Sequence, residues 1–296
     1  MKKIKELIKR TIESILSPIN KSLNRLDQLS RINTALSRAS ATAALRVIEP
    51  TNPISWEFSG FSQNGEDGIL DYLSRKLVKS NRYFIEIGAS DGIENNTAWF
   101  AHGRKFSGLM IEGNRLTVER GQAVVHFATE LRWLFVNKEN INTLIELSVY
   151  KNLDIFSLDI DGNDFYIAKL IFEAGFRPKI FIVEYNSAYG PTEEKTVIYD
   201  EDFNLKHMHS TQLYYGVSIA GWKSFFKGHG YKFVTVDSNG VNAIFIDPSE
   251  FDESFVEHLQ GLDFEENFYQ MKKFKFSWEK QYDLIKEMEY YTIHQS

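Results

Sequence analysis

Apolar residues open the chain in a helical rhythm. Ile4, Leu7, Ile8, Ile12, Ile15, Leu16 and Ile19 recur at steps of three and four, and Leu23, Leu26, Leu29, Ile32 and Leu36 resume the stripe. This spacing predicts an amphipathic helix, and Pro18 within it predicts a break or kink. Pro50-Thr51-Asn52-Pro53 reads as a linker over residues 50–55. Beyond it the rhythm changes to short apolar runs separated by helix-length spacers. Tyr83–Ile87, Gly108–Ile111, Trp133–Val136, Ile155–Leu158, Ile180–Val183, Lys232–Val236 and Ala243–Ile246 are the strand candidates. Thr97–Lys105 and Phe165–Ala174 are helical spacers between them. Such alternation implies a mostly parallel sheet covered on both faces. The last two runs flank Asp237-Ser238-Asn239-Gly240, and Asn-Gly signals a hairpin. The expected sheet is therefore five parallel strands closed by an antiparallel pair.

Composition narrows the chemistry. The chain has 296 residues, 43% hydrophobic and 25% charged, with no cysteine. That excludes disulfides, thiolate zinc sites, iron–sulfur clusters and a cysteine nucleophile. No apolar run reaches the roughly 18–20 residues of a membrane span, and no secretory signal is recognisable. A cytoplasmic protein, free or peripheral on the inner face of a membrane, is expected. Residues 1–46 carry ten Lys or Arg against Glu6, Glu13 and Asp27, a net +7 that leaves −13 for the remainder. An acidic body is a poor partner for nucleic acid. For the basic segment, residues 1–50, three readings stand: a homo-oligomerisation arm, a helix lying on anionic lipid, or a helix packed on its own domain. Residues 56–248 form the expected main domain. The tail, 249–296, carries Phe251, Phe255, Phe264, Phe268, Phe274, Phe276 and Trp278, a density that predicts packing on the body or a partner subunit.

The first strand runs into a glycine turn, Phe84-Ile85-Glu86-Ile87-Gly88-Ala89-Ser90-Asp91-Gly92. In an open parallel sheet ligands bind beyond the carboxyl ends of the strands, and Gly88 permits close backbone approach. Asn95, Asn96 and Thr97 follow as polar groups and a helix cap. A dinucleotide site would carry G-x-G-x-x-G against pyrophosphate. The turn here is E-x-G-x-x-x-G, which favours a cofactor without phosphates over a plain strand-to-helix turn. Glu112 ends the second strand, where a carboxylate can accept both hydrogen bonds of a ribose diol.

Asp159 with Asp161, and Glu184 with Asn186, are each separated by two positions at the ends of neighbouring strand candidates. Residues at that spacing share a strand face, so four oxygen-bearing side chains are expected to converge. Such a cluster needs a proton or a cation, and hard oxygen ligands favour magnesium, manganese or calcium over softer metals, magnesium or manganese being the expected ion. The alternative is that Asp161-Gly162-Asn163-Asp164 is a turn whose acids cap the next helix. One of the loop histidines, His207 or His209, or Asp161 if no metal binds, is the expected proton acceptor. His102, His126, His229, His258 and His294 show no ligand spacing.

Phe61-Ser62-Gln63-Asn64-Gly65-Glu66-Asp67-Gly68, the glycine turn, Asp159 to Asp164 and Glu184-Tyr185-Asn186 together resemble the FkbM-type methyltransferases. Tyr214-Tyr215-Gly216-Val217-Ser218 and Gly240-Val241-Asn242-Ala243 extend the resemblance, which covers about residues 58–248. It implies a Rossmann-like α/β methyltransferase fold with a mostly parallel seven-stranded sheet and a C-terminal hairpin. It also implies O-methyl transfer from S-adenosylmethionine to a sugar or glycan hydroxyl. The cofactor contacts are then expected at Gln63, Glu86, Gly88, Ser90, Asp91, Thr97, Glu112, Asn137 and Asp159, and a metal at Asp159, Asp161, Glu184 and Asn186. Two rivals remain: a metal-dependent glycosyltransferase using Asp159-x-Asp161, and a non-catalytic interaction protein.

Overall fold

The computed structural model describes residues 2–125 and 128–293, so His126 and His294 lie outside the described residues. Seven strands form the main sheet: β1 (Tyr83–Ile87), β2 (Ser107–Glu112), β3 (Thr129–Trp133), β4 (Ile155–Leu158), β5 (Ile180–Glu184), β7 (Lys232–Val236) and β8 (Asn242–Ile246). Their order is β3-β2-β1-β4-β5-β8-β7. β1 to β5 pair in parallel, whereas β8 runs antiparallel to both β5 and β7. This is the mostly parallel sheet with a closing antiparallel hairpin that the pattern predicts, its one reversed strand, β8, lying between β5 and the edge strand β7. The central strands β1, β4 and β8 are buried along their whole length, because helices cover both faces. On one face Ile85, Ile111, Phe156, Leu158 and Phe181 meet Phe165, Ile171, Trp222 and Phe226. On the other, Phe84, Met110, Ile155, Ile182 and Ile244 meet Ile69, Leu70, Leu73 and Phe100. Helix α2 (Glu66–Lys76) precedes β1, and α3 (Arg115–Gly121), α4 (Ile141–Leu147), α5 (Asp164–Glu173), α6 (Leu205–Met208) and α7 (Ile219–Gly228) follow in the connections between strands.

Three local expectations change. The third strand ends at Trp133 rather than beginning there, and the chain 134–136 instead borders a cavity. The spacer Thr97–Lys105 holds only a single wide turn, Trp99–Gly103. Finally, α1 (Lys2–Ala44) runs through Pro18 without the expected interruption; proline there costs one intrahelical bond, and the helix continues on either side.

From Asn24 onward α1 packs on the body. Ile32, Ala35 and Ala39 are buried there, the first two against Phe61, Ile93 and Ala98. A Cβ on Gly60 would sit 2.4 Å from the Ala39 Cβ, so a small residue on each side permits the contact. Arg31 pairs with Asp91, Gln28 donates to the same carboxylate at 3.2 Å, and Arg38 donates to the Gly60 carbonyl. The tail forms α8 (Glu253–Glu257), α9 (Phe268–Phe274), α10 (Trp278–Asp283) and β9 (Tyr290–Thr292). β9 pairs antiparallel with β6 (Lys195–Val197), and Ile285 joins Tyr189, Val197, Leu213 and Tyr214 in a small core.

Candidate functional site

The site starts where β1 ends. Gly88 has φ +91°, and a Cβ on it would sit 1.6 Å from the Asp159 carbonyl oxygen at the end of β4. Only glycine lets the two strand ends meet this closely. The Gly88 and Ala89 amides both donate to the Ile111 carbonyl, which draws the turn across β2. Ser90 then adopts φ +51° and donates its amide to Glu112 at 3.0 Å, while Asn114 donates its own at 2.6 Å. Glu112 thus bridges the two turns at the rim of a cavity of about 880 Å³. Ile111, Trp133, Phe135 and Val136 supply its apolar wall, and Phe203, Leu205 and Gln212 lie on the side of a later loop.

Asp159 and Asp161 line this cavity with Glu112, and Glu184 lines a smaller one that Asp159 also borders. Asp159, Asp161 and Glu184 bring one carboxylate oxygen each to within 4.8 Å of one another. Asp161 lies beyond the end of β4, where strand periodicity no longer applies. It reaches the group through a left-handed backbone, φ +58°, a conformation that aspartate tolerates better than most residues. The turn that follows is held by Asp164, whose oxygens accept the Ile160 and Gly162 amides at 2.9 Å. Capping therefore falls to Asp164 and leaves Asp161 at the cavity. Burial first, and then the charge of Asp161, pushes the Asp159 carboxyl well above the usual range, burial and then the charges of Asp159 and Asp161 do the same to Glu184, and Asp159 and Glu184 share a hydrogen bond. Burial first and the nearby Glu112 second raise Asp161. One oxygen of Glu184 is buried with no partner at all.

Asn186 departs from the expected fourth ligand. β5 ends at Glu184, and Asn186 begins a 3-10 turn. Its amide donates to the Leu213 and Tyr215 carbonyls at 2.7 and 2.9 Å, and its oxygen accepts from Ala188. The side chain is spent on backbone and serves instead to hold the 213–215 loop. That loop sets Tyr215 near the acids, whose charges add to burial in raising its phenol.

Glu86 is turned inward. Its oxygens accept the Asn96 and Thr97 amides at 3.0 Å, the Thr97 hydroxyl, and the Ser157 hydroxyl at 3.2 Å. Burial pushes its carboxyl up to about 7. Thr97 is therefore a partner of Glu86, and both shape the loop that follows the glycine turn. Asp91 is occupied by Gln28 and Arg31 of α1 and by the Ile93 amide. Gln63 donates to Glu94 at 2.8 Å. Asn137 caps residues 139 and 140 and donates to Glu201 at 3.3 Å. His209 binds Thr211 at 2.8 Å and lines neither of the two cavities at the acids.

The second cavity, about 280 Å³, opens on the opposite side of Gly88 and Asp159. The 61–68 motif forms its wall. Asp67 accepts the Gly60, Phe61 and Ser62 amides at 2.7, 2.7 and 3.2 Å, folding the loop tightly. Glu66 ties Asn64 to Asn242 with bonds of 2.7 to 2.9 Å. Asn267 and Tyr269 of the tail complete the lining. No local pattern marks those two residues; the aromatic surplus of the tail was the sole signal that it packs inward.

No protein-family profile and no curated protein matches the chain. Solved structures do show a likeness. Cofactor-bound Rv0187 from MTB aligns over 73% of this chain and 89% of its own, with 15% identity and TM-score 0.42. An O-methyltransferase from Bacillus cereus in complex with SAH aligns over the same shares, with 16% identity and TM-score 0.39. The N-terminal domain of EvdMO1 with SAH bound covers 61% of this chain and 79% of its own, at 14% and 0.39. These likenesses are too distant to identify the chain.

Proposed function

We propose that this chain is an S-adenosylmethionine-dependent O-methyltransferase acting on a sugar or glycan hydroxyl, with a divalent cation assisting. The observation that carries the reading is the Gly88 turn, seated on Asp159 and bridged to Glu112 at the mouth of the larger cavity. A nucleoside with a diol and no phosphate fits this lining, which has an apolar wall and a carboxylate but no glycine-rich helix start for pyrophosphate. When bound, the cofactor supplies a methyl group on a cationic sulfur. Glu112 orients its ribose, and Gly88 lets its chain pass over the sheet ends. Asp159 faces both cavities, a position suited to orienting the cofactor's amino group.

The three acids fit a hard divalent cation. Their oxygens converge, their charges repel, and Glu184 keeps a buried oxygen without a donor. A cation there would lower the acidity barrier of an acceptor hydroxyl. Where no cation binds, Asp161, which lines the cavity, is the proton acceptor, since His209 lines neither cavity. The polar second cavity, rich in amide and carboxylate side chains, suits a polyhydroxylated acceptor. Calorimetry with S-adenosylmethionine and S-adenosylhomocysteine against a panel of nucleotide sugars tests the proposal. Binding of both sulfur compounds supports it; binding of a nucleotide sugar alone replaces it with glycosyl transfer.

A further inference from the structure

Helix α1 has two opposed faces. Gln28, Ile32, Ala35 and Ala39 are buried on the body. At about 100° per residue, Leu16, Ile19, Leu23 and Leu26 project from roughly the opposite side of the helix. They are 45%, 50%, 59% and 63% exposed, and Leu29 beside them is 41% exposed. By sequence the same step continues toward the N-terminus with Ile8, Ile12 and Ile15, so apolar positions cover an arc of about 140°. A two-stranded coiled coil uses a narrower seam, and continuing the seam of Leu16, Ile19, Leu23 and Leu26 backward by heptads places Lys2, Lys5 and Lys9 in it, where a dimer would bury their ammonium groups but a lipid surface lets them snorkel to the headgroups. The flanking charges point the same way. Lys2, Lys3, Lys5, Lys9 and Arg10 crowd the first turns with only Glu6 among them, while the body is acidic.

We propose that α1 lies in the plane of an anionic lipid surface, its leucine and isoleucine face in the acyl boundary and its cations at the headgroups. Broad aliphatic burial with basic flanks is the design of an interfacial helix. The body sits on the other face of the same helix, so it does not obstruct a flat surface. Acidic lipid complements the helix and repels the body, which holds the catalytic face away from the headgroups. No helix among the described residues is long and apolar enough to cross a membrane, so the contact is one of lying on rather than spanning. The inference stands whether or not the chain transfers methyl groups.

The test is flotation of the full chain with vesicles of phosphatidylcholine, with and without phosphatidylserine, at low and high salt. Phosphatidylserine vesicles should float the protein, and binding should weaken as salt screens the cations. Leu23→Asp should lower partition at least about tenfold. Asn20→Asp, which adds the same charge on an exposed polar position of the same helix, should lower it far less. Unchanged thermal unfolding in both variants shows that the body is intact. The proposal is overturned if the protein ignores phosphatidylserine vesicles at low salt, or if Leu23→Asp binds them as well as Asn20→Asp does. It is also overturned if light scattering shows a dimer that Leu23→Asp dissociates while no vesicle is bound, which would assign the stripe to a second copy.

Discussion

Replacing Glu112 by alanine separates a cofactor site from a mere surface cleft. In the structure Glu112 is half-buried and accepts two backbone amides, at 3.0 Å from Ser90 and 2.6 Å from Asn114. Each oxygen keeps a further lone pair for a ligand at the cavity rim. Losing the two internal bonds at a partly wet position should cost about 1 kcal/mol of stability. Losing a charge-assisted pair to a ribose diol should cost roughly 1–3 kcal/mol of binding, about 5- to 150-fold in Kd. The two effects are separated by a cycle in which S-adenosylhomocysteine and its 2′-deoxy analogue are titrated into both proteins by calorimetry. The unmodified chain should prefer the full diol, and Glu112→Ala should lose that preference. The reasoning is refuted if the variant still discriminates between the two ligands, or if it binds S-adenosylhomocysteine as well as the parent chain.

The acid cluster predicts that methyl transfer stops with a chelator and returns with magnesium or manganese, while S-adenosylhomocysteine still binds. Glu184→Ala should match the chelated protein, and full activity in excess chelator would leave Asp161 to act as a lone base. Burial raises both Asp67 and Glu86 to about 7, so the native state keeps protons that the unfolded chain releases at the ordinary carboxylate range. Their contribution to stability is therefore full below about pH 4 and lost as pH rises through about 7. The melting temperature should fall between about pH 5 and pH 8, and a rise over that window in a scanning melt would contradict the assignment. Deleting residues 1–46 strips Gln28 and Arg31 from the buried Asp91 and uncovers Phe61 and Ile93. That truncation should melt several degrees lower and bind S-adenosylhomocysteine less tightly, whereas deleting only residues 1–15 should do neither, as calorimetry of both would show.

Much of the framework was legible in the residues themselves. The runs at 83–87 and 155–158 coincide with β1 and β4, because strands buried along their whole length read as short, mostly apolar runs; the run at 232–236 coincides with the edge strand β7, found through its hairpin with β8. The turn at Gly88 was legible for a related reason: a backbone with positive φ that touches another strand leaves no room for a side chain. What a side chain does at such a turn was another matter. Glu86 precedes the glycine by two and lines the smaller cavity, and it also accepts four donors of the loop 96–97 and of β4. That outcome depends on the path of a loop rather than on spacing. Asn186 matched the period-two rule, but the strand stops at Glu184 and the rule stops with it. Conversely, Asp161 joins the acids through a left-handed turn that no periodicity foretells. The stripe of α1 correctly marked a helix, while the choice of which face meets the body was made by small residues far apart in sequence. Ala39 and Gly60 allow the close approach, and Asp91 supplies the buried charge that draws Arg31 and Gln28 inward. Local pattern determines elements because it reflects burial averaged along one segment; only the tertiary structure decides partners, since each partner is set by a segment the local pattern cannot see.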